Sequence, residues 1–206
     1  MDVSPTAEAE LARPVATAGR EGRAGRDTAV IARIATLIVF ATHAVVVASW
    51  TAHIPVVKSS LGLTDASLGL ALFGAPIGSI LAMLATSALL PRVGSRRMVQ
   101  VCLVGYCTTA WTVGIAGDGL QLFLALALWG AFMGSLDVSM NGQAVFVERA
   151  IGRPIMSSFP GLWSIGAFVG VTLGAVAVGA GVSLTAQLAV LGAIGLVVAG
   201  SATLVM

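Results

Sequence analysis

From residue 30 onward the chain is a series of six long apolar runs separated by short polar breaks. They cover about residues 30 to 51, 67 to 90, 98 to 116, 120 to 146, 155 to 179 and 184 to 206. A helix needs about 20 residues to cross a hydrocarbon core of about 30 Å, and each run meets that length. In hydrocarbon, every backbone N–H and C=O must find a partner within the protein, so runs of this kind fold as α-helices. The sequence therefore predicts an all-α membrane protein with six transmembrane helices. Only 10% of residues are charged and 57% are hydrophobic, against about 25% charged in a soluble domain. The net charge of +2, with no basic stripe along any run, excludes a nucleic-acid partner. Residues 1 to 28 are rich in Ala, Gly, Arg and acidic side chains and read as a disordered cytoplasmic tail. No short apolar core with a cleavage site opens the chain, so the tail is not a secretory signal.

The basic residues orient the helices. Arg13, Arg20, Arg23, Arg26 and Arg33 precede or begin the first run. Arg92, Arg96 and Arg97 follow the second, and Arg149 and Arg153 follow the fourth. The alternate loops hold only Lys58. Basic loops stay in the cytoplasm, which predicts a multi-pass protein of the cell membrane with both termini cytoplasmic. Lipid is the implied surrounding partner.

One carboxylate lies deep in a span. Asp137, in "WGAFMGSLDVSMNGQAVFVERAIGRP", is eleven residues from Glu148 at the cytoplasmic end, or about 16 Å along a helix. A carboxylate at that depth costs about 2.5 kcal/mol or more on insertion scales, so it should face a cavity or a partner. Asn141, Ala144 and Glu148 continue its face, with Gln143 off it; this predicts a polar strip leading to the cytoplasm. His43 lies well inside the first run and either faces a central cavity or hydrogen-bonds across helices. Trp163, in "FPGLWSIG", either stacks on a ligand or fills the core. His53 and Lys58 are assigned to the outer loop. Glu148 has a bland alternative, pairing with Arg149, Arg96 or Arg97 at the interface.

No HExxH or paired-aspartate motif is present, so neither enzymatic activity nor a metal or cofactor is expected. Cys102 and Cys107, five apart on one helix, point in different directions and read as small buried hydrophobes, not as a disulfide. The glycine pairs Gly74/Gly78, Gly130/Gly134 and Gly166/Gly170, extended by Gly174, are each spaced four apart and predict close helix crossings. "LFGAPIG" and "SIGAFVG" align 92 residues apart, which maps helices one to three onto four to six. An odd number of helices per copy makes the second copy inverted.

The loop "SALLPRVGSRR" resembles the signature loop between helices two and three of the major facilitator superfamily: Arg92, Gly94, Arg96 and Arg97 match it. Ser87 stands where the first glycine is usual, and Pro91 where an aspartate is usual. The strings "ASWTAHIPVVKSSLGLTDASLGLALFGAPIGS" and "GSLDVSMNGQAVFVERAIGRPIMSSFPGLWSIGAFVG" extend the resemblance, over about residues 30 to 200, to bacterial fucose-permease-like members. His53 stands where such relatives often carry arginine. The resemblance implies one half of a twelve-helix fold, built from two inverted three-helix repeats. It also implies proton-coupled secondary transport of a small polar solute such as a sugar. Asp137 and Asn141 fit the family's polar helix-four position; His43 and Trp163 are candidates for the same path. Arg92, Gly94, Arg96, Arg97 and Glu148 are candidates for the cytoplasmic gate. The alternatives are drug or metabolite efflux and an inert or non-transporting half. A six-helix half would leave its cavity face open, so a second half, or a second copy in a homodimer, is the implied partner.

Overall fold

The computed structural model describes the side chains of residues 27–206. Of the tail expected to be disordered, residues 1 to 28, side chains are described only at Asp27 and Thr28, while the backbone from Pro5 onward belongs to the first helix. The described chain is helical throughout, and six of its segments are long and apolar enough to cross a membrane.

The first span comprises the end of α1 (Pro5–Ser49), a 3-10 turn at Thr51–His53 and α2 (Ile54–Ser60). The second joins α3 (Asp65–Leu72) to α4 (Gly74–Val93), and the third is α5 (Ser95–Thr109) with a 3-10 extension, Ala110–Ile115. Spans four to six are α6 (Gly119–Ile151), α7 (Ser158–Gly179) and α8 (Leu184–Thr203).

Local chemistry sets these limits. The side chains of Thr64, Asp118 and Ser183 cap α3, α6 and α8 by accepting Ser67, Gln121 and Ala186 N–H groups, which stabilises first turns whose donors have no helical acceptor. Gly94 (φ 86°) and Gly152 (φ 70°) end α4 and α6, in a backbone region that side chains with a Cβ disfavour.

Several boundaries differ from the expected ones: the second span runs to Val93 and not 90, the third begins at Ser95 and not 98, and the fourth runs to Ile151 and not 146. The first span does not stop at residue 51 but runs on through the turn to Ser60. The fifth begins at Ser158, not 155, because the Ile155 and Met156 N–H groups are held outside the helix by the Glu148 carboxylate, at 2.7 and 2.8 Å. The sixth ends at Thr203, not 206.

The helices are arranged with an internal two-fold pattern. α4 lies along α6, and α7 lies along α1; these are the two most extensive contacts. Each exchanges for the other when spans one to three are mapped onto four to six. α5 packs on α8, its own counterpart, and α1 on α6 likewise. The glycines follow the same rule. A Cβ at Gly74 or Gly78 would meet the Phe123 or Ala127 backbone of α6 at 2.2 or 2.0 Å. One at Gly166 or Gly170 would meet the Ala41 or Val45 carbonyl of α1 at 3.0 or 2.5 Å. Close crossings of this kind supply the dispersion contact that holds helices together where lipid is as apolar as the side chains.

The centre of the bundle is filled by Tyr106, Trp129, Leu136, Met140 and Phe159, all essentially buried. Cys102 and Cys107 are free thiols buried among them. The outward faces of α4 and α7 carry Leu81, Leu84, Ile165 and Phe168 at more than half exposure, as a surface solvated by hydrocarbon allows.

Candidate functional site

Four helices enclose one open groove of about 490 Å³. α1 contributes His43, Val47 and Ala48, with Thr51 from the turn after it; α4 gives Ser79; α6 gives Met133, Gly134 and Asp137; α7 gives Trp163. Gly134 opens the space: a Cβ there would meet Ser79 Oγ at 2.3 Å. Asp137, His43 and Trp163, drawn from a stretch 120 residues long, therefore line one surface.

Their polar atoms are arranged asymmetrically. Trp163 Nε1–H donates to His43 Nδ1 at 3.0 Å. The bond requires Nδ1 to be unprotonated, so the imidazole is neutral and carries its proton on Nε2. Nε2 is itself buried and without a partner. The His43 carbonyl accepts the Tyr106 hydroxyl at 2.9 Å, and the His43 ring lies 5.0 Å from that of Tyr106, which stacks on Trp129 at 5.6 Å. This aromatic wall fixes the histidine. Asn141 does not line the groove. It stands one turn along, its Nδ2 donating to the Asp137 carbonyl at 2.9 Å and, more weakly, to Oδ1 at 3.3 Å. Among the described residues, no Lys or Arg lies on the groove and Asp137 has no ion pair.

The strip expected from Asp137 to Glu148 is not continuous. Ala144 is fully buried in the core, and Glu148 turns to the α6–α7 loop backbone. The five residues assigned to a gate also divide. Gly94, Arg96 and Arg97 border a separate hollow of about 370 Å³ with Gln143 and Phe146, and Arg92 is exposed beside it. Arg96 donates to the Leu204 carbonyl at 2.5 Å, and Ser95 donates to Gln143 Oε1 at 2.5 Å. Among the described residues, no ion pair joins Glu148 to any arginine.

His53 differs most from expectation. It is not a loop residue but 2% exposed, with Nε2 2.9 Å from Gln187 Oε1. Gln187 Nε2 in turn donates to the Ser49 carbonyl at 3.0 Å. Gln187, the one amide in the sixth apolar run, is the signal that a buried polar partner was needed there. Ser79 and Thr51 were missed for a different reason: isolated hydroxyls in an apolar run usually bond their own helix, and nothing in their spacing marks the groove.

Comparison with known proteins agrees with this architecture. The chain is 38% identical, over 138 residues, to an uncharacterized MFS-type transporter of Yersinia pestis. It is 30% identical over 138 residues to the uncharacterized transporter y4wD of Sinorhizobium fredii, and 30% identical over 132 residues to the membrane protein MosC of Rhizobium meliloti. These matches cover 67%, 67% and 64% of this chain but only 36%, 37% and 32% of the relatives. The chain thus spans about a third of the length of the curated relatives it matches. No family model matches it, and no solved structure does. By sequence kinship and by its six-helix, internally repeated bundle, this is a multi-pass membrane protein related to transporters of the major facilitator type, corresponding in architecture to one half of that fold.

Proposed function

We propose that the chain forms one half of a secondary transporter for a small solute, and that the groove around Asp137 is its share of the solute path. The observation that carries this reading is a carboxylate at mid-span depth, without an ion pair among the described residues, on a groove that four helices leave open. A charged group is expensive there and is kept where it meets a solute, an ion or a proton. A sugar or another small polar metabolite fits the volume, and a proton carried by Asp137 supplies the coupling. The open side of the groove calls for a second six-helix half, in this chain's continuation, in another chain or in a second copy. The end of the bundle bearing Arg92, Arg96, Arg97, Arg149 and Arg153 faces the cytoplasm in this reading, and the loop carrying the three arginines after α4 forms part of the inner gate.

The test is proton-driven uptake in liposomes holding the complete transporter, with Asp137→Asn compared against the unaltered protein. Asn keeps the shape and removes the charge. Uptake is expected to fall at least tenfold while insertion and the elution profile stay unchanged. Uptake at the original rate, with its pH dependence intact, rejects the role assigned to Asp137.

A further inference from the structure

The donors and acceptors of the groove are unequal, and the imbalance selects a solute class. Four hydrogen-bonding side chains border it besides Asp137; three have committed their proton or have it out of reach, and only the Ser79 hydroxyl is held by a weak acceptor. Thr51 Oγ1 donates to the Ala48 carbonyl at 2.7 Å. Ser79 Oγ donates to Met83 Sδ at 3.7 Å. Trp163 Nε1–H is taken by His43 Nδ1, and His43 Nε2–H is buried beyond the reach of anything in the groove. What remains is acceptor capacity: two hydroxyl oxygens and the Asp137 carboxylate, whose Oδ2 accepts from no described residue and whose Oδ1 has only the long contact from Asn141. The rest of the lining, Val47, Ala48, Met133, Gly134 and the Trp163 ring, is apolar.

We infer that this groove takes a protonated amine on an apolar or aromatic body. The inference rests on the reading of the groove as a solute site and narrows it. An ammonium group brings only donors and a positive charge, which is what one carboxylate and two hydroxyl oxygens complement. Charge-assisted N–H···O bonds are the strong ones, and the Trp163 face adds attraction for a cation. A polyol fits less well, because each of its hydroxyls also brings lone pairs, for which this wall offers only the weakly held Ser79 hydroxyl as a donor, and unsatisfied polar groups in a dry site are costly. An anion is opposed outright by Asp137 with no described cation beside it. His43 does not change this, because its neutral state is fixed by the bond it accepts from Trp163.

The experiment is equilibrium binding to the chain in lipid nanodiscs, which needs no flux and so stands or falls separately from transport. The probe is radiolabelled 2-phenylethylamine, with unlabelled 2-phenylethanol and fucose as competitors. Saturable binding is expected, with 2-phenylethanol and fucose each at least tenfold weaker as competitors. Asp137→Asn should lower affinity at least tenfold, and Asp137→Glu should restore most of it; the Glu variant separates loss of charge from loss of fold. Saturable fucose binding that depends on Asp137, with none for the amine, overturns the amine inference and leaves the transport reading standing. Amine binding that survives Asp137→Asn, or no amine binding at all, overturns it as well. Uptake in the complete transporter that ignores Asp137 counts against the transport reading instead.

Discussion

Individual polar side chains decide more here than their number suggests. Among the described residues, two of the ties between buried or half-buried polar groups join distant spans through a histidine: Trp163–His43–Tyr106 beside the groove and His53–Gln187–Ser49 between the first and sixth spans. None of the three residues of the second lines the groove, and the tie reads as structural. Removing its centre, Gln187→Leu, leaves the His53 ring nitrogen and the Ser49 carbonyl without partners in a dry site, at a cost of about 1–3 kcal/mol. Thermal unfolding in detergent should show the loss, while amine binding at Asp137 stays unchanged. At this scale the sequence was half legible. Asp137 and His43 stand out because an ionisable group in a long apolar run is conspicuous. The bond from Trp163 to His43 was not legible, because it depends on how α1 and α7 are rotated against each other, which no local pattern encodes. His53 was assigned to a loop because the first apolar run is interrupted by a polar turn; the helix in fact resumes after that turn, and the histidine is carried inside.

At the level of helices, the glycine spacing gave the crossings but not the partners. Glycines four apart mark a smooth face, and the structure shows α7 laying its own on α1 and α4 laying its own on α6. Two glycines of α7 provide a contrast. A Cβ at Gly170 would meet the Val45 carbonyl at 2.5 Å and its Cα at 3.0 Å, whereas one at Gly161 meets nothing within 4 Å. Gly170→Leu should destabilise the bundle by about 1–3 kcal/mol, the range for overpacked sites, and by more if α1 is displaced. Gly161→Ala should be neutral or slightly stabilising, since alanine favours helix over glycine by about 1 kcal/mol. Melting curves of the two variants side by side decide it. Equal effects would mean that the face of α7 lying on α1 has been misassigned. Helix ends were legible to within a few residues where a capping side chain stood in the sequence, at Thr64, Asp118 and Ser183. The start of α7 was not, because what delays it is a carboxylate seven residues upstream, Glu148, bonding to backbone that local apolarity would place in the helix.

For the molecule as a whole, the six spans were readable, because membrane crossing depends on length and apolarity that local sequence carries in full, whereas the repeat showed only as one pair of similar strings 92 residues apart. The orientation rests on the distribution of arginine. With the native thiols buried, single cysteines report it cleanly. Asp118→Cys, in the turn before α6, should react with an impermeant maleimide added outside intact cells. Arg153→Cys, in the turn after α6, should react only once the membrane is opened. The reverse pattern would place the arginine-bearing turns outside.

The order in which the spans pair carries a consequence for how the protein is made. α1 finds its main neighbour in α7, which begins about 110 residues after α1 ends. At translation rates of about 5–20 residues per second, the first span waits on the order of 5–20 s in the bilayer before its partner leaves the ribosome. During that interval the His43 ring lacks Trp163, and the backbone that Gly166, Gly170 and Gly174 will later cover lies bare. The second and fourth spans can already be joined by then. A nascent chain of four spans therefore has α4 and α5 seated on α6 while α1 is held only by its lesser contact with α6, and the His43 side of α1 is covered only when the fifth span arrives.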